Sequence, residues 1–217
     1  MAVSAAAGAV FLDKDGTLID DVPYNVDPAR MTLARGAAEG LPLLHAAGYR
    51  VFVVSNQAGV ARGRFTERAL DSVAERLTTL LAGVGVPLAG FYYCPHDPRG
   101  SVAEYAVRCD CRKPAPGLLH RAAREHALDL AASWLVGDIL DDVEAGRRAG
   151  CATVLLNVGS ETEWVRAPMR EPHHVARDLA EAARIILRDA APDAARTRAL
   201  GGIQASAPRR VMPGAAA

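Results

Sequence analysis

Ala9-Val-Phe-Leu-Asp13-Lys14-Asp15-Gly16-Thr17 is the stretch that decides the fold of this chain. A short apolar run, the length of a buried strand, leads directly into two aspartates two positions apart, and Gly16 lets the backbone turn sharply behind them. Paired carboxylates repel each other and persist where a cation, a proton or a chemical task holds them. Read alone, Asp-Gly after an apolar run is more simply the signal of a solvated β-hairpin turn. Residues further along the chain decide between the two.

Helical spacing over Gly36 to Ala47 closes at Gly48, and Arg50 to Ser55 carries the strand-like Val-Phe-Val-Val. Thr66 is the expected N-cap of a helix whose apolar stripe is Leu70, Val73, Leu77, Leu80 and Leu81. Strands are expected at Gly90 to Cys94, Ser133 to Gly137 and Ala152 to Asn157. Helices are expected at Gly117 to Ala127, Asp141 to Ala149 and Asp178 to Arg188. This alternation predicts βαβ units with right-handed crossovers, an α/β fold with a mainly parallel sheet, and ligands at the carboxyl ends of the strands. Residues 1–189 are expected to form one domain. Residues 190–217, which lack any sustained period, are expected to form a flexible tail.

The residues after each strand therefore carry the chemistry. Ser55-Asn56-Gln57-Ala58-Gly59-Val60-Ala61-Arg62-Gly63 offers a hydroxyl, amides and a glycine turn. These suit a phosphate oxygen or, more plainly, a polar loop. Lys113 stands in Cys111-Arg112-Lys113-Pro114. Of 25 basic residues, only it and Lys14 are lysine, a compact point charge where the chain otherwise uses planar guanidinium forks. In Gly137-Asp138-Ile139-Leu140-Asp141-Asp142, the helix dipole accounts for Asp141 and Asp142, and less well for Asp138. A D-x-D pair, a serine, a lone lysine and a further aspartate at successive strand ends of one sheet are an improbable coincidence.

Cys94-x-His96 and Cys109-x-Cys111 supply three thiols and an imidazole, a closed tetrahedral zinc set. A disulfide is the rival. Composition narrows the setting. The 217 residues are 50% apolar and 23% charged, a globular balance. Twenty-five acidic residues match 25 basic ones, without the basic excess of a nucleic-acid or anionic-membrane binder. No apolar run approaches the roughly 20 residues of a membrane span. Met1 to Val10 lacks the basic residue of a signal peptide. A cytoplasmic, reducing compartment is expected, which disfavours the disulfide, and nothing asks for more than a monomer. Cys151 reads as core, and none of His45, His120, His126, His173 and His174 is expected to take part in chemistry.

The order Phe-Leu-Asp-x-Asp-Gly-Thr, Ser-Asn, Lys, Gly-Asp-x-x-x-Asp resembles the haloacid dehalogenase superfamily over about residues 9–160. The longer phrases from Ser55 to Gly63 and from Cys109 to Pro114 look like its heptose-bisphosphate phosphatase and histidinol-phosphatase branch, whose metal cluster the four ligands match position by position. The resemblance implies a Rossmann-like three-layer sandwich with a zinc-bound loop insertion at 94–111. It implies a catalytic Mg2+ held by the Asp13 and Asp138 side chains and the Asp15 carbonyl, with Asp142 in an outer layer and the zinc structural. Asp13 is then the nucleophile that forms an aspartyl-phosphate, and Asp15 the general acid and base. Ser55 donates to a phosphoryl oxygen and Lys113 neutralises charge.

A helix already occupies Gly36 to Ala47, which leaves little room for a helical cap domain between Gly16 and Tyr49, and no large cap is expected. Loops are therefore expected to set specificity, through Asp21, Tyr24, Asn56, Gln57, Arg62 and Arg112, the last as a fork for a second anionic group. The expected ligand is a small phosphorylated metabolite, heptose 1,7-bisphosphate first and histidinol phosphate or another small ester next. The branch usually carries lysine directly after the strand-end aspartate, where this chain has Ile139. A phosphomutase would share the four motifs but usually needs a cap. A non-catalytic zinc-stabilised module would leave the acids at the strand ends unexplained.

Overall fold

In a computed structural model, which describes residues 8–162 and 164–190, the strands are β1 (Ala9–Leu12), β2 (Arg50–Asn56), β3 (Leu88–Cys94), β4 (Trp134–Gly137), β5 (Ala152–Leu156) and β6 (His174–Ala176). They form one sheet in the order β3-β2-β1-β4-β5-β6, and every neighbouring pair is parallel. The helices are α1 (Ala37–Ala46), α2 (Ala69–Gly83), α3 (Gly117–His126), α4 (Leu140–Ala149) and α5 (Leu179–Ala190).

Side chains alternate across the sheet. Val10, Leu12, Val51 and Val53 pack with Leu41 and Leu44 of α1, Leu70 and Leu77 of α2, and Ile186 of α5. Ala9, Phe11, Phe52 and Val54 face the other way, against Leu118 and Leu119 of α3 and Ala145 of α4. Helices thus cover both faces, giving three layers. That explains why β1, β2 and β4 read as unbroken apolar runs with no polar alternation. Each fully buried leucine or valine in these layers contributes roughly 1.5–3 kcal/mol.

Two expectations need adjusting, and a third is not tested. β6 has no counterpart among the expected strands. Its three residues hold only Ala176 fully buried, so no apolar run announces it. Thr66 does not cap α2, which begins at Ala69 with Arg68 as an N-cap lacking a side-chain bond; the Thr66 carbonyl instead accepts from the Ala69 N–H in a preceding turn. The expected tail, apart from Ala190 at the end of α5, lies outside the described residues. Between β1 and α1 there are only a 3-10 turn at Pro28–Arg30 and isolated bridges, so the described chain carries no large cap there. Among the described residues, no helix is long and apolar enough to cross a membrane.

Candidate active site

The strand order reverses between β1 and β4, and the crevice at that point is where open α/β sheets bind ligands. Asp13 comes directly after β1, its N–H donating to the Val136 carbonyl at 3.0 Å. Asp138 comes directly after β4, and Asp142 stands on the first turn of α4. One carboxylate oxygen from each of the three lies within 4.8 Å of the others. Lys113 reaches this cluster from the loop before α3. Its Nζ donates to Asp13 Oδ1 at 2.7 Å and to the Val54 carbonyl at 3.0 Å, and lies 2.5 Å from Asp142 Oδ1. Asn56 fixes the lysine from behind. Its amide donates to the Lys113 carbonyl and accepts from the Lys113 N–H, each at 3.0 Å.

Burial governs the electrostatics. The Asp13 and Asp142 charges hold the Lys113 ammonium well above the usual lysine range, against the cost of burying it. Burial and the charge of Asp13 push Asp138 up to about 6. Burial also pushes Asp142 upward against the pull of Lys113, with Asp13 and Asp138 adding to the rise. Three carboxylates against one ammonium leave an excess of two negative charges when all are ionised, which one divalent cation would offset. The donor set is all oxygen, as Mg2+ requires. Gly16 makes room for it: at φ +75, a Cβ there would fall 2.1 Å from Asp138 Oδ2. The residues present therefore fit Mg2+.

Asp15 stands beside this cluster, partly exposed, and burial raises its carboxyl above the ordinary aspartate value. Its Oδ1 accepts from Lys14 Nζ at 2.5 Å, and its Oδ2 faces Gln57 Nε2 at 3.4 Å. Gln57 also donates to Ser55 Oγ at 2.8 Å, so the hydroxyl is oriented from the same side. A cleft of ≈ 190 Å3 opens here, walled by Asp15, Tyr24, Gln57, Arg62 and Arg112 among others. Asp21, expected at the substrate, is exposed and is not part of that wall, where Asn25 stands instead. Asn56 reaches the wall but commits both ends of its amide to Lys113. A larger hollow of ≈ 680 Å3 lies along β3, lined by Phe91, Tyr93 and Tyr105, and none of the aspartates of the cluster borders it.

Cys94, His96, Cys109 and Cys111 meet beside this site. The sulfurs lie 3.1–3.5 Å apart, and His96 Nδ1 lies 3.3 Å from Cys111 Sγ. A tetrahedral zinc holds its sulfurs about 3.8 Å apart, close to this spacing and far from a covalent S–S bond. All four cysteines are free thiols. The set fits zinc, and four protein ligands leave no open position for catalysis. Purified protein is expected to contain one zinc per chain by metal analysis. Cys111→Ser is expected to lose it and to lower the calorimetric unfolding midpoint by about 5–10 °C. An unchanged midpoint in a zinc-free variant would contradict a structural role.

Three neighbours carry no role in the sequence reading. Lys14 is buried against Asp15, and its rarity in an arginine-rich chain is the signal that could have found it. Thr17 Oγ1 donates to Asp138 Oδ1 at 3.1 Å from within the opening motif. Ser160 bonds Asp138 from the loop after β5, where no pattern marks it.

A family model described as HAD-hydrolase-like matches residues 110–182. The D-glycero-beta-D-manno-heptose-1,7-bisphosphate 7-phosphatase of Yersinia pestis is 42% identical over 148 residues, 68% of this chain and 79% of that protein. The enzyme of the same name from Escherichia coli K12 is also 42% identical over 148 residues, covering 68% of this chain and 78% of its own. Among solved structures, the D,D-heptose 1,7-bisphosphate phosphatase of B. bronchiseptica, complexed with magnesium and phosphate, superposes with a TM-score of 0.68 at 30% identity, covering 84% of this chain and 99% of that one. With the four motifs gathered at the crevice between β1 and β4, this similarity places the chain in the haloacid dehalogenase superfamily, among its phosphatases.

Proposed function

We propose that the chain hydrolyses a phosphomonoester of a small bisphosphorylated sugar through an aspartyl-phosphate, with heptose 1,7-bisphosphate as the substrate and the 7-phosphate as the group removed. The observation that carries the chemistry is the Lys113 contact to Asp13 Oδ1 at 2.7 Å, which holds the carboxylate in place beside a buried counter-charge. A carboxylate approaching a phosphate dianion meets about 4 kcal/mol of repulsion per unit charge at 4 Å and an effective dielectric near 20, so cations matter more than base strength. A Mg2+ held at the aspartate cluster would supply positive charge against the phosphoryl oxygens.

A carboxylate oxygen of Asp13 bonds to phosphorus as the ester P–O bond breaks, and Asp15 gives its proton to the departing sugar oxygen. Asp15 then takes a proton from the water that attacks the acyl-phosphate phosphorus, which frees inorganic phosphate and restores the Asp13 carboxylate. The upward shift of the Asp15 carboxyl supports its acid role. Ser55 donates to a phosphoryl oxygen, and Lys113 spreads its charge over nucleophile and phosphate.

Support for the substrate comes from the names of the 42% identical relatives and from Arg62 and Arg112, which put two guanidinium groups in the cleft wall beside Asp15. Ile139 favours a second reading. A half-buried apolar chain stands where the branch usually has a cation, which suits histidinol phosphate or another singly phosphorylated metabolite. A phosphate-release screen over heptose 1,7-bisphosphate, histidinol phosphate and sugar monophosphates separates the two. The heptose ester is expected to lead in kcat/KM by at least about tenfold. Activity on another ester with none on the heptose compound would transfer the substrate and leave the chemistry standing.

A further inference from the structure

We infer that Asp97, in the zinc loop, is a positioning residue for substrate recognition: its carboxylate aims the Arg62 guanidinium into the cleft and so sets how tightly the non-reacting phosphate is held. This rests on the reading above that the substrate carries two phosphates.

Asp97 is 1% exposed, and a carboxylate that deep needs partners. Its Oδ2 accepts from Arg62 Nε at 2.9 Å and Nη2 at 2.6 Å, and its Oδ1 accepts from the Arg99 N–H at 3.1 Å. Arg62 Nη1 donates in turn to Tyr24 Oη at 2.5 Å. Of the five N–H bonds of a guanidinium, three are engaged in this way, which leaves one on each terminal nitrogen for a ligand oxygen. The Arg62 and Arg64 guanidinium carbons also lie 5.9 and 5.6 Å from the Tyr24 ring centroid, so the two loops flanking the cleft are clasped together.

The backbone explains why the zinc loop can do this. The Gln57 N–H donates to the Cys94 carbonyl at 2.8 Å and the Ala61 N–H to the Pro95 carbonyl at 3.2 Å, while the Ser101 N–H donates back to the Ala61 carbonyl at 2.8 Å. Gly100 permits that approach, since a Cβ there would stand 2.5 Å from the Ala61 oxygen. The segment carrying Arg62 is therefore stitched to the segment carrying His96 and Asp97. On the opposite side, Arg112 Nη1 donates to the His96 carbonyl at 3.2 Å. Consecutive zinc-loop residues thus set both guanidinium groups of the cleft wall.

Asp97→Asn keeps the shape and removes the charge. In the zinc-loaded full chain, KM for heptose 1,7-bisphosphate is expected to rise about tenfold with kcat held within about twofold, because a charge-assisted contact outside the reacting atoms is weakened. p-Nitrophenyl phosphate, which has no second phosphate, should keep its KM. Combining Asp97→Asn with Arg62→Gln should be no worse than Arg62→Gln alone, since both act on one contact. An unchanged KM on the bisphosphate, an equal rise on both substrates, additive losses in the double variant, or zinc lost from the Asp97→Asn protein would each overturn the inference. Wild-type protein that cleaves p-nitrophenyl phosphate but not the bisphosphate would remove the substrate reading and this inference together, and the wild type alone reveals that case.

Discussion

Asp13→Asn is expected to reduce kcat by a factor on the order of 10^4 or more while leaving the fold intact. The amide has the shape of the carboxylate but lacks the anionic oxygen that must bond to phosphorus. Its carbonyl can still accept from Lys113, so the contact now made at 2.7 Å keeps an acceptor. Stability should hold or rise, because the change removes one of three mutually repelling carboxylates from a buried cluster. The decisive measurement is rapid acid quench with 32P-labelled substrate. Wild-type protein should carry acid-stable, hydroxylamine-sensitive label, and the variant none. A variant with wild-type turnover, or a wild type that never takes up label, would sink the nucleophile assignment.

Lys113→Met is the second large effect, and it should appear in stability as well as rate. The lysine is 2% exposed and contacts two acids and a backbone carbonyl. Removing the one cation leaves Asp13 and Asp142 without a counter-charge, a change that typically costs about 3–5 kcal/mol for a buried pair. Denaturant unfolding of metal-free protein should show a loss on that order, and added Mg2+ should recover part of it. Turnover should fall about 10^2- to 10^3-fold, the effect of deleting one preorganised charge at the reacting group. Lys113→Arg should not rescue it, because a wide fork cannot fit between Asp13, Asp142 and the Val54 carbonyl as a point charge does. Full stability in the Lys113→Met protein would show that the acids are neutral without it.

The architecture was legible because burial on both faces writes the central strands as apolar runs, and the polar residues at their ends then stand out. β6 was not legible, since three residues at a sheet edge bury too little to leave a pattern. The same division holds at the site. Asp13, Ser55 and Asp138 sit at or near strand ends, so one-dimensional spacing already orders them in space; Lys113, expected at a strand end as well, instead comes from the loop before α3, well past the end of β3, and reaches the cluster only through the tertiary fold. Gln57 and Asn56 were visible as polar residues, but their work was not, because an amide that clamps the Lys113 backbone and one that orients Ser55 look alike in sequence. Ser160 and Asp97 depend on loops that come to the site from β5 and β3, and tertiary proximity of that kind has no local signature. The rarity of lysine singled out Lys113 and passed over Lys14, yet both lysines of the chain are buried against aspartates.

The crevice, which the connection between β1 and α1 leaves unroofed among the described residues, also decides which acceptor wins. An acyl-phosphate formed on Asp13 would sit within reach of solvent from the moment the sugar departs, with no closed chamber to keep a second alcohol near it. Diffusing water would arrive long before another metabolite could turn and re-enter, so a scaffold of this shape commits phosphorus to release rather than to relocation.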